Sequence, residues 1–523
     1  MSGFVGLPKL ILDLDGAPLL PERARSLAEM RVQQRLSLPT LCELTFVDPE
    51  RVLIDRAPSL AGASMQVSVD PGTRALFAGQ VTTVEFEHDP AGGTVLRVRA
   101  YDLLHQLRKR QPVRRHTRVN LKTLAGDLTA DLGLAIDAAD AGPEWDTLIQ
   151  FRQSDLDLMT ELAGRAGLYF TLRGETLHLL TLEGIGEAIP LQLGISLLEA
   201  RVKVSGEGAC RSVDTLGWDP WLAEARQGAS SGPRSGRRIA AELAMSRLGG
   251  SGDRTLTDAR VQSEAQASAL SQAELDRRAA SEVSLWGIAE GNPGLCPGAL
   301  IEVDGISPAL SGRYVLTSVN HTLDRRRGFL SEIETAPPEP LAHGGASLST
   351  IGVVTGVDDP EGLGRIRVRF PTYHDVESDW LEVLSPGAGN NKGLVSLPDV
   401  GDRVLLLTSA EDPGQAVVLG GLYGKAGPPD AGVDAGAVKR YTFVTPGGQR
   451  VRLDDDKRRV QVQSSSGHLL ELAPGRARLV ARGGSYLELA DKTARLHAAT
   501  DLEIEAPGHA VTIRGQSIDF QRG

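Results

Sequence analysis

A tandem repeat of short strands near the C-terminus constrains the fold more than any other feature of this sequence. GHLLELAPGRARLVARG (467–483) lies over GSYLELADKTARLHAAT (484–500), so that Leu472 matches Leu489. Both copies alternate apolar and polar residues, which is the period of a half-buried β-strand. Such a thin repeat cannot bury its apolar face alone and leaves open strand edges. Winding three chains together removes both problems, so residues 441–523 predict a trimeric, intertwined β-helix or β-prism.

Length and charge limit the classes of protein that fit. The chain has 523 residues, a formal net charge of −11 and a pI of about 5.5. A chain of this length predicts three or four domains rather than one core. The acidic balance disfavours bulk binding to nucleic acid, which needs a concentrated positive field. The 59 glycines against 4% aromatic residues favour β-rich modules with many turns.

The cellular compartment is indicated by cysteine usage and by the N-terminal sequence. Cys42, Cys210 and Cys296 are far apart and predict three reduced structural thiols rather than a disulfide framework or a zinc site. The N-terminal MSGFVGLPKLILDLDG lacks the basic and apolar regions of a secretory signal, and no apolar run approaches the ~18 residues of a membrane helix. We therefore expect synthesis and assembly in the cytoplasm.

Two linkers rich in proline and glycine divide the chain. They are APPEPLAHGGASLST (336–350) and GKAGPPDAGVDAG (424–436). We predict a first domain over 1–340, a second domain of short strands over 351–424, and the repeat domain over 441–523.

The first domain contains an internal repeat. VTTVEFEHDPAGGTVLRV (81–98) aligns without gaps to LTSVNHTLDRRRGFLSEI (316–333), and each copy reads as strand, turn, strand. The copies are too far apart to stack as a solenoid, so we interpret them as two copies of one β-barrel. The matched positions include Asp89 with Asp324 and Gly93 with Gly328.

Three stretches between the copies have helical periodicity. The first follows a predicted N-cap at Asn120. The second begins with an approximate capping box of Ser154 and Asp157 and ends at Gly167. The third is predicted over 258–279. Their apolar stripes are ordinary core faces.

DPEGLGRIRVRFP (358–370) predicts a strand whose two faces differ in chemistry. Arg365, Arg367 and Arg369 lie on one face, and the alternating apolar residues lie on the other, where they would fill a small barrel. The arginine face has two interpretations: a solvated or intermodule charged face, or a nucleic-acid contact. The acidic chain, and the lack of aromatic partners for the strand, favour the first.

One cluster of carboxylates is a candidate for catalysis. DDDKRR (454–459) places Asp454, Asp455 and Asp456 side by side, and paired carboxylates hydrolyse glycosides. The cluster lies in a predicted hairpin turn beside three basic residues, which favours a solvated turn.

Three histidines could bind a metal ion on a three-fold axis. They are His468, His497 and His509, but no two of them form a His-x-His pair. We therefore predict no catalytic residue, no metal and no cofactor.

Several of these segments resemble the VgrG and phage tail hub–spike family. FRQSDLDLMTELAGRAGLYFTLRGETLHL (151–179) is similar to the late-control-gene-D type hub, and GNPGLCPGALIEVDGISPALSGRYVLTSVNH (291–321) looks like its closing barrel. LPDVGDRVLLLTSAEDPGQAVVLGGLYG (397–424) looks like the OB-fold module of spikes and baseplate proteins. The residues on that OB pattern are Pro398, Gly401, Asp402, Val404, Asp412, Pro413, Gly420 and Tyr423.

The resemblance implies a mainly β, multi-domain fold with a few helices: a hub with two β-barrels, an OB-fold neck and a β-helical needle. It implies a non-enzymatic spike of a contractile injection system, in which a homotrimer adapts a six-fold tail tube to a three-fold, membrane-puncturing needle. The implied partners are an Hcp-like tube protein at the hub, baseplate proteins, a PAAR-like cap at the tip and effector cargo, with no nucleic acid. The particle would assemble in the cytoplasm and contact the target membrane transiently.

Two groups of residues are then candidate interaction sites. The apolar residues of the final segment, AVTIRGQSIDFQRG, suit a core shared by three chains and a platform for the cap: Val511, Ile513, Ile518 and Phe520. The neck group comprises Arg365, Arg367, Arg369, Pro398, Gly401, Asp402 and Tyr423. A tail-fibre glycosidase and an OB-fold nucleic-acid binder are the alternative functions. A phage tail, a type VI system and an extracellular or cytoplasmic injection system all remain open as the machine, and the compact chain favours the last.

Overall fold

The chain folds mainly into β-strands, which agrees with the predicted fold class. The structure is a computed structural model, and it divides the chain into two compact units, Met1–Leu422 and Tyr423–Gly523. It describes residues 9–19, 25–49, 51–70, 75–89, 93–112, 114–150, 153–219, 224–241, 252–339, 349–373, 375–408 and 416–522.

The elements of the first unit are these. Its strands are β1 (Lys9–Leu14), β2 (Ala17–Pro18), β3 (Leu27–Arg35), β4 (Leu41–Val47), β5 (Ser64–Asp70), β6 (Ala75–Asp89), β7 (Gly93–Tyr101), β8 (Arg114–Val119), β9 (Ala135–Ala138), β10 (Trp145–Gln150), β11 (Tyr169–Arg173), β12 (Thr176–Leu180), β13 (Ile185–Gln192), β14 (Leu197–Val204), β15 (Ser212–Asp219), β16 (Glu224–Ser230), β17 (Arg238–Ile239), β18 (Asp253–Arg260), β19 (Val283–Glu290), β20 (Ala299–Asp304), β21 (Gly312–Val315), β22 (Ser318–Asp324), β23 (Gly328–Glu334), β24 (Ser349–Gly356), β25 (Arg367–Phe370), β26 (Val376–Glu377), β27 (Arg403–Thr408) and β28 (Ala416–Gly421). Its α-helices in the described residues are α1 (Arg51–Arg56), α2 (Leu121–Thr129), α3 (Asp155–Ala166) and α4 (Glu264–Glu282).

Both copies of the internal repeat lie in one eleven-stranded sheet, in the order β14-β19-β23-β22-β3-β4-β7-β6-β5-β1-β2. The hairpin β6–β7 closes with Asp89 opposite Gly93, and the hairpin β22–β23 closes with Asp324 opposite Gly328. The two glycines have φ values of +87° and +78°, in the region that favours glycine. The strand–turn–strand prediction is confirmed for both copies. In the sheet, β3 and β4 lie between the two hairpins.

Each copy contributes its own core. In the first, alternate residues of β3 and β4 are buried in one cluster, among them Met30, Val32 and Phe46. In the second, Ile301 of β20 and Val319 of β22 are buried in another cluster. This period of two matches the pattern read from the sequence.

The helices begin and end largely where the sequence indicates. Asn120 caps α2, and its side chain accepts from the backbone amide of Thr123 at 2.9 Å. Ser154 and Asp157 form the capping box of α3, and Gly167 ends that helix with a φ of +66°. The predicted third helix is wrong at its start.

That third helix, α4, begins at Glu264 rather than at residue 258. The preceding residues form β18, which pairs in parallel with β15. Ser263 is the N-cap and accepts from the amide of Gln266. Pairing between distant strands therefore outweighs the local helical pattern.

The neck module forms a separate five-stranded sheet in the order β26-β25-β24-β27-β28. Its core contains the apolar residues of the arginine strand, as predicted, because Ile366, Val368 and Phe370 are buried with Val404 and Val418. Within the first unit, Ile351 of this module packs against Trp218 of β15.

The second unit consists of short strands in series. They are β29 (Val433–Asp434), β30 (Ala437–Val438), β31 (Arg440–Val444), β32 (Arg450–Asp454), β33 (Arg459–Gln463), β34 (Leu469–Ala473), β35 (Arg476–Val480), β36 (Tyr486–Ala490) and β37 (Ala494–His497). The last seven form one antiparallel sheet in sequence order, and each strand pairs only with its neighbours along the chain. The short alternating strands expected over 441–523 thus extend to His497, and the described residues 498–522 form none.

The cysteines and the helices bear on two further predictions. All three cysteines are buried and free, in agreement with structural thiols. Among the described residues, none of the helices combines the length and the apolar character that crossing a bilayer requires.

Candidate functional site

The arginine face of the neck module carries its own counter-charges. Arg365 precedes β25 and binds Asp359 twice, with 3.0 Å between Nε and Oδ2 and 2.8 Å between Nη2 and Oδ1. Asp359 also accepts from the backbone amides of Glu361 and Leu363. The Arg365 guanidinium, helped by these amides and opposed by desolvation, holds the pKa of Asp359 well below its usual range. The pair therefore clamps the turn that leads into the strand.

The other two arginines are paired as well. Arg367 lies over the ring of Trp380, with 4.9 Å from the guanidinium carbon to the ring centroid, and 3.7 Å from Asp379. Arg369 binds Asp375. The expectation that this strand lacks an aromatic partner is wrong, because Trp380 reaches it from a following loop. A face with a carboxylate for each guanidinium fits a solvated charged surface better than a nucleic-acid site.

Two residues of the expected OB pattern fix the turn before β27. Gly401 has a φ of +91°, and its amide donates to the carbonyl of Val354 at 2.9 Å. The Asp402 carboxylate accepts from the amide of Asp399, and the Asp402 carbonyl accepts from the amide of Val354. These contacts tie the turn to β24, so both residues have a structural role in the module.

The remaining pattern positions differ in their surroundings. Val404 is fully buried, Pro398 is half-buried, and Gly420 has a φ of +151°. Tyr423, the first residue of the second unit, is exposed. Asp412 and Pro413 lie outside the described residues.

An apolar loop next to this turn was not identified from the sequence. Leu394, Val395, Leu397 and Val400 are all exposed within the segment that joins β26 to β27. Four aliphatic side chains in a loop rich in Gly and Asn are the signal that could have identified it.

One face of the seven-stranded sheet in the second unit is apolar and uncovered. Opposing residues on neighbouring strands form a continuous row across the sheet: Phe443, Val451, Val462, Leu470, Leu479, Leu487 and Leu496. Every member of this row, which we call the apolar row, is exposed. A single sheet with a bare apolar face is not stable on its own in water.

The opposite face of the sheet is closed by ion pairs. Glu471 accepts from Arg476 at 2.8 Å and from Gln461 at 2.9 Å, and Arg459 lies 3.4 Å away. Desolvation opposes ionisation of Glu471, but these donors lower its pKa below the ordinary value. Glu471 is therefore paired within the chain, in contrast to the bare apolar row.

A second ion cluster lies at the start of this unit. Asp430 accepts from Arg440 at 3.0 Å and from the hydroxyl of Thr442 at 3.1 Å, and Arg452 lies at 3.3 Å. The Arg440 guanidinium in particular holds the pKa of Asp430 well below its usual range. This cluster could not be predicted from the sequence, because Asp430 lies in a segment that has the composition of a linker.

The candidate carboxylates occupy the predicted hairpin turn. Asp454 ends β32, is buried, and lies 3.7 Å from Arg459. Its carboxylate also accepts from the amide of Lys457, while Asp455 and Asp456 lie in the turn itself. Asp454 is thus a buried residue that fixes the end of the strand, and the solvated-turn interpretation applies only to the exposed Asp455 and Asp456.

The structure does not bring the candidate histidines together as metal ligands. His497 stacks on Tyr486, with 4.9 Å between ring centroids, and His468 accepts from the amide of Arg482. Over the described part of the chain, there is no group of three or more potential ligands for a metal.

The predicted tip residues are exposed. Val511, Ile513, Ile518 and Phe520 lie in a segment without strands, and Phe520 is 90% exposed. Their alternation continues that of the preceding strands, but the chain itself offers them no pairing partner. Gly523 lies outside the described residues.

Residues 62–325, about half of the chain, match the family described as the Alg8 N-terminal domain. The chain belongs to this family. Residues 350–423 match the type VI secretion system/phage-baseplate injector OB domain. The predicted OB fold and the predicted resemblance to the VgrG and phage tail spike proteins are thereby confirmed.

Part of the chain is also similar to a curated spike protein. This member of the Alg8 N-terminal domain family is 30% identical over 162 residues to the type VI secretion system spike protein VgrG4b of Pseudomonas aeruginosa. The match covers 27% of this chain and 20% of that protein, so the chain spans only about a fifth of its curated relative.

Two solved structures illustrate the likeness in fold. The 43 kDa tail protein of prophage MuSo2 from Shewanella oneidensis has 15% identity and a TM-score of 0.48, covering 63% of this chain and 98% of that one. A chain of the Francisella PdpA–VgrG complex has 8% identity and a TM-score of 0.43, covering 95% of this chain and 81% of that one.

Proposed function

We propose that this chain is the trimeric spike of a contractile injection system. Its hub adapts a six-fold tail tube to three-fold symmetry, the injector OB domain is the neck, and the second unit is the puncturing needle. The observation that carries the proposal is the apolar row, seven exposed side chains on one face of a single-layer sheet.

A closed three-fold arrangement covers that row. Three copies of the sheet, each turning its apolar face inward, bury all three rows in one core and leave the ion-paired faces in water. The described residues 498–522 carry the same alternation and form no strand pairs within the described part of the chain, so strands of neighbouring chains would pair with them. A prism closed in this way transmits axial force without a free edge at which it could unzip.

The internal repeat supports the adaptor role of the hub. Two hairpins of identical closure per chain, in three chains, present six equivalent hairpins to a six-fold tube. The Hcp-like tube protein and the baseplate proteins are the partners at that end. A PAAR-like cap, with or without effector cargo, binds at the opposite end on the tip residues.

This is a mechanical function, and it requires no catalytic residue, metal or cofactor. The particle assembles in the cytoplasm, and the needle meets the target membrane only during injection.

The test is the mass of the full chain in solution, by light scattering at micromolar concentration. We expect three times the 55.6 kDa of one chain. A monodisperse monomer would refute the proposal.

The glycosidase alternative is tested with the same protein. Asp455 and Asp456 lie in an exposed turn, and their double alanine variant leaves the trimer intact under our proposal. Cleavage of bacterial polysaccharides by the native chain, abolished in this variant, would instead support the glycosidase.

A further inference from the structure

The two hairpins of the internal repeat turn at the same end of the strands. The pairing register shows this, because neighbouring strands end or begin there at opposed residues: Asp324 with Glu29, Leu27 with Phe46, Val47 with Val95, and Gly93 with Asp89. Three strand spacings separate β22 from β7, and half a spacing on each side leads to the centre of each hairpin. The two hairpin centres are therefore about four spacings, or about 19 Å, apart.

β23 runs from Gly328 at the second tip to Glu334, so the chain leaves this hairpin from the end opposite the tip. Arg325, Arg326 and Arg327 of the second tip are exposed, so this tip is accessible to another protein.

The two tips have different chemistry despite their equal closure. The first has the sequence Asp-Pro-Ala-Gly-Gly (89–93), and the second has Asp-Arg-Arg-Arg-Gly (324–328). In the second tip, Asp324 accepts from the amides of Arg326 and Arg327 and from the Arg327 side chain, which uses one guanidinium internally. The side chains of Arg325 and Arg326 are exposed and have no partner among the described residues.

A fourth guanidinium joins them from the neighbouring strand entry. Arg25 lines the same open groove as the three tip arginines, together with Thr45 and Val47. Two carboxylates, Glu29 and Asp324, lie in the groove, so four guanidiniums outnumber the carboxylates by two. This local positive charge stands on a chain whose net charge is −11.

We propose that this groove, the basic tip, binds an acidic segment of the protein that docks on the hub, and that the first tip does not. The inference rests on the proposed function. Because the two tips alternate around a trimer, a six-fold ring would meet three basic contacts and three contacts that lack these arginines. The basic tips would then select one of two orientations of the hub on the ring. Hairpins of equal backbone geometry alone would leave these two orientations equivalent.

The test uses the full chain and a fluorescent poly-L-glutamate peptide as the probe, with binding followed by anisotropy at low and moderate salt. Arg325→Glu with Arg326→Glu removes the two unpartnered guanidiniums and spares the Arg327–Asp324 contact. Lys457→Glu with Arg458→Glu is the matched control, since it reverses two exposed charges in a turn of the second unit.

We expect salt-sensitive binding by the native chain, at least a tenfold weaker affinity for the tip variant and less than a twofold change for the control. Absence of binding by the native chain, or equal binding by the tip variant, would overturn the proposal. Tighter binding of a single-stranded 20-mer DNA than of poly-L-glutamate, lost in the same variant, would assign the groove to nucleic acid instead.

A gain-of-function variant sharpens the test. Pro90→Arg with Ala91→Arg gives the first tip the missing charges, and we expect the stoichiometry to rise from one peptide per chain to two. An unchanged stoichiometry would contradict the equivalence of the tips. Light scattering on each variant separates the outcomes, because a trimer that fails to bind refutes only this inference, whereas a monomer refutes the proposed function.

Discussion

Arg365 donates to both carboxylate oxygens of Asp359, six residues earlier in the chain, and closes the turn that enters the neck strand. This bidentate contact distinguishes between the two interpretations of the arginine strand, a charged surface and a nucleic-acid contact. A guanidinium already held by a carboxylate in fork geometry is a structural element rather than a free phosphate ligand.

The first prediction concerns this clamp. Asp359→Asn removes the charge and should lower the melting temperature of the first unit at pH 7. A carboxyl with a lowered folded-state pKa stabilises the fold above its unfolded value of about 3.9, and that stabilisation is lost as the pH falls. The difference in melting temperature between native and variant chains should therefore be constant from pH 7 to about pH 5 and shrink below about pH 4. Asp358→Asn, at the adjacent carboxyl, is the control; a gap as wide at pH 2 as at pH 7 would contradict the prediction.

The second prediction concerns the apolar row. Leu487→Asp places a carboxylate where three chains meet, and the cost of burying an unpaired charge far exceeds the ~2–3 kcal/mol that each buried leucine contributes. We expect light scattering to show monomers with the strand content of the first unit retained. Glu488→Gln, on the same strand but the opposite face, should stay trimeric. If Leu487→Asp also stays trimeric, this face is not the interface.

The third prediction concerns the tip. Deleting residues 508–523 removes Val511, Ile513, Ile518 and Phe520 and leaves the seven paired strands intact. The truncated chain should still form trimers but should no longer retain a purified PAAR-like cap on a column or puncture target cells. Capture of the cap at the native level would place its binding site elsewhere.

The fourth prediction concerns a buried histidine of the hub. His321 is enclosed between the hydroxyl of Ser331 at 2.9 Å and the carbonyl of Leu295 at 3.0 Å, and burial lowers its pKa to about 4. Between pH 6.5 and 4 the imidazole is protonated in the unfolded chain but neutral in the folded chain. The free energy of unfolding therefore falls as the pH falls, by at most about 3 kcal/mol.

His321→Gln should flatten this part of the curve of melting temperature against pH, even if it lowers the melting temperature at pH 7. His88→Gln, at an exposed ring, should leave the slope unchanged. A slope that survives in His321→Gln would assign the pH dependence to other groups.

Local patterns predicted the features that depend on neighbouring residues. The caps at Asn120 and Ser154, the Asp–Gly hairpin closures and the buried side of the arginine strand follow from periods and turn chemistry within a few residues. The packing of Arg367 on Trp380 depends on a later loop that folds back onto the strand, and the periodicity of the strand carries no information about that contact.

Two errors have a common physical cause. Residues 258–260 form a strand because β15 offers them a partner, and residues 498–522 form none because the chain offers them no partner. Strand formation is decided by the pairing partner, whereas a sequence pattern reports only which side chains alternate.

The second unit contains an uninterrupted series of hairpins, and this arrangement determines how its length can change. Because each strand contacts only its neighbours along the chain, adding or removing one hairpin leaves every other contact unchanged. Each hairpin extends the sheet by two strand spacings, about 10 Å. In the needle that we propose, insertion or loss of about 17–20 residues would therefore change the length in even steps, and the reach toward targets of different envelope thickness could evolve without any redesign of the hub.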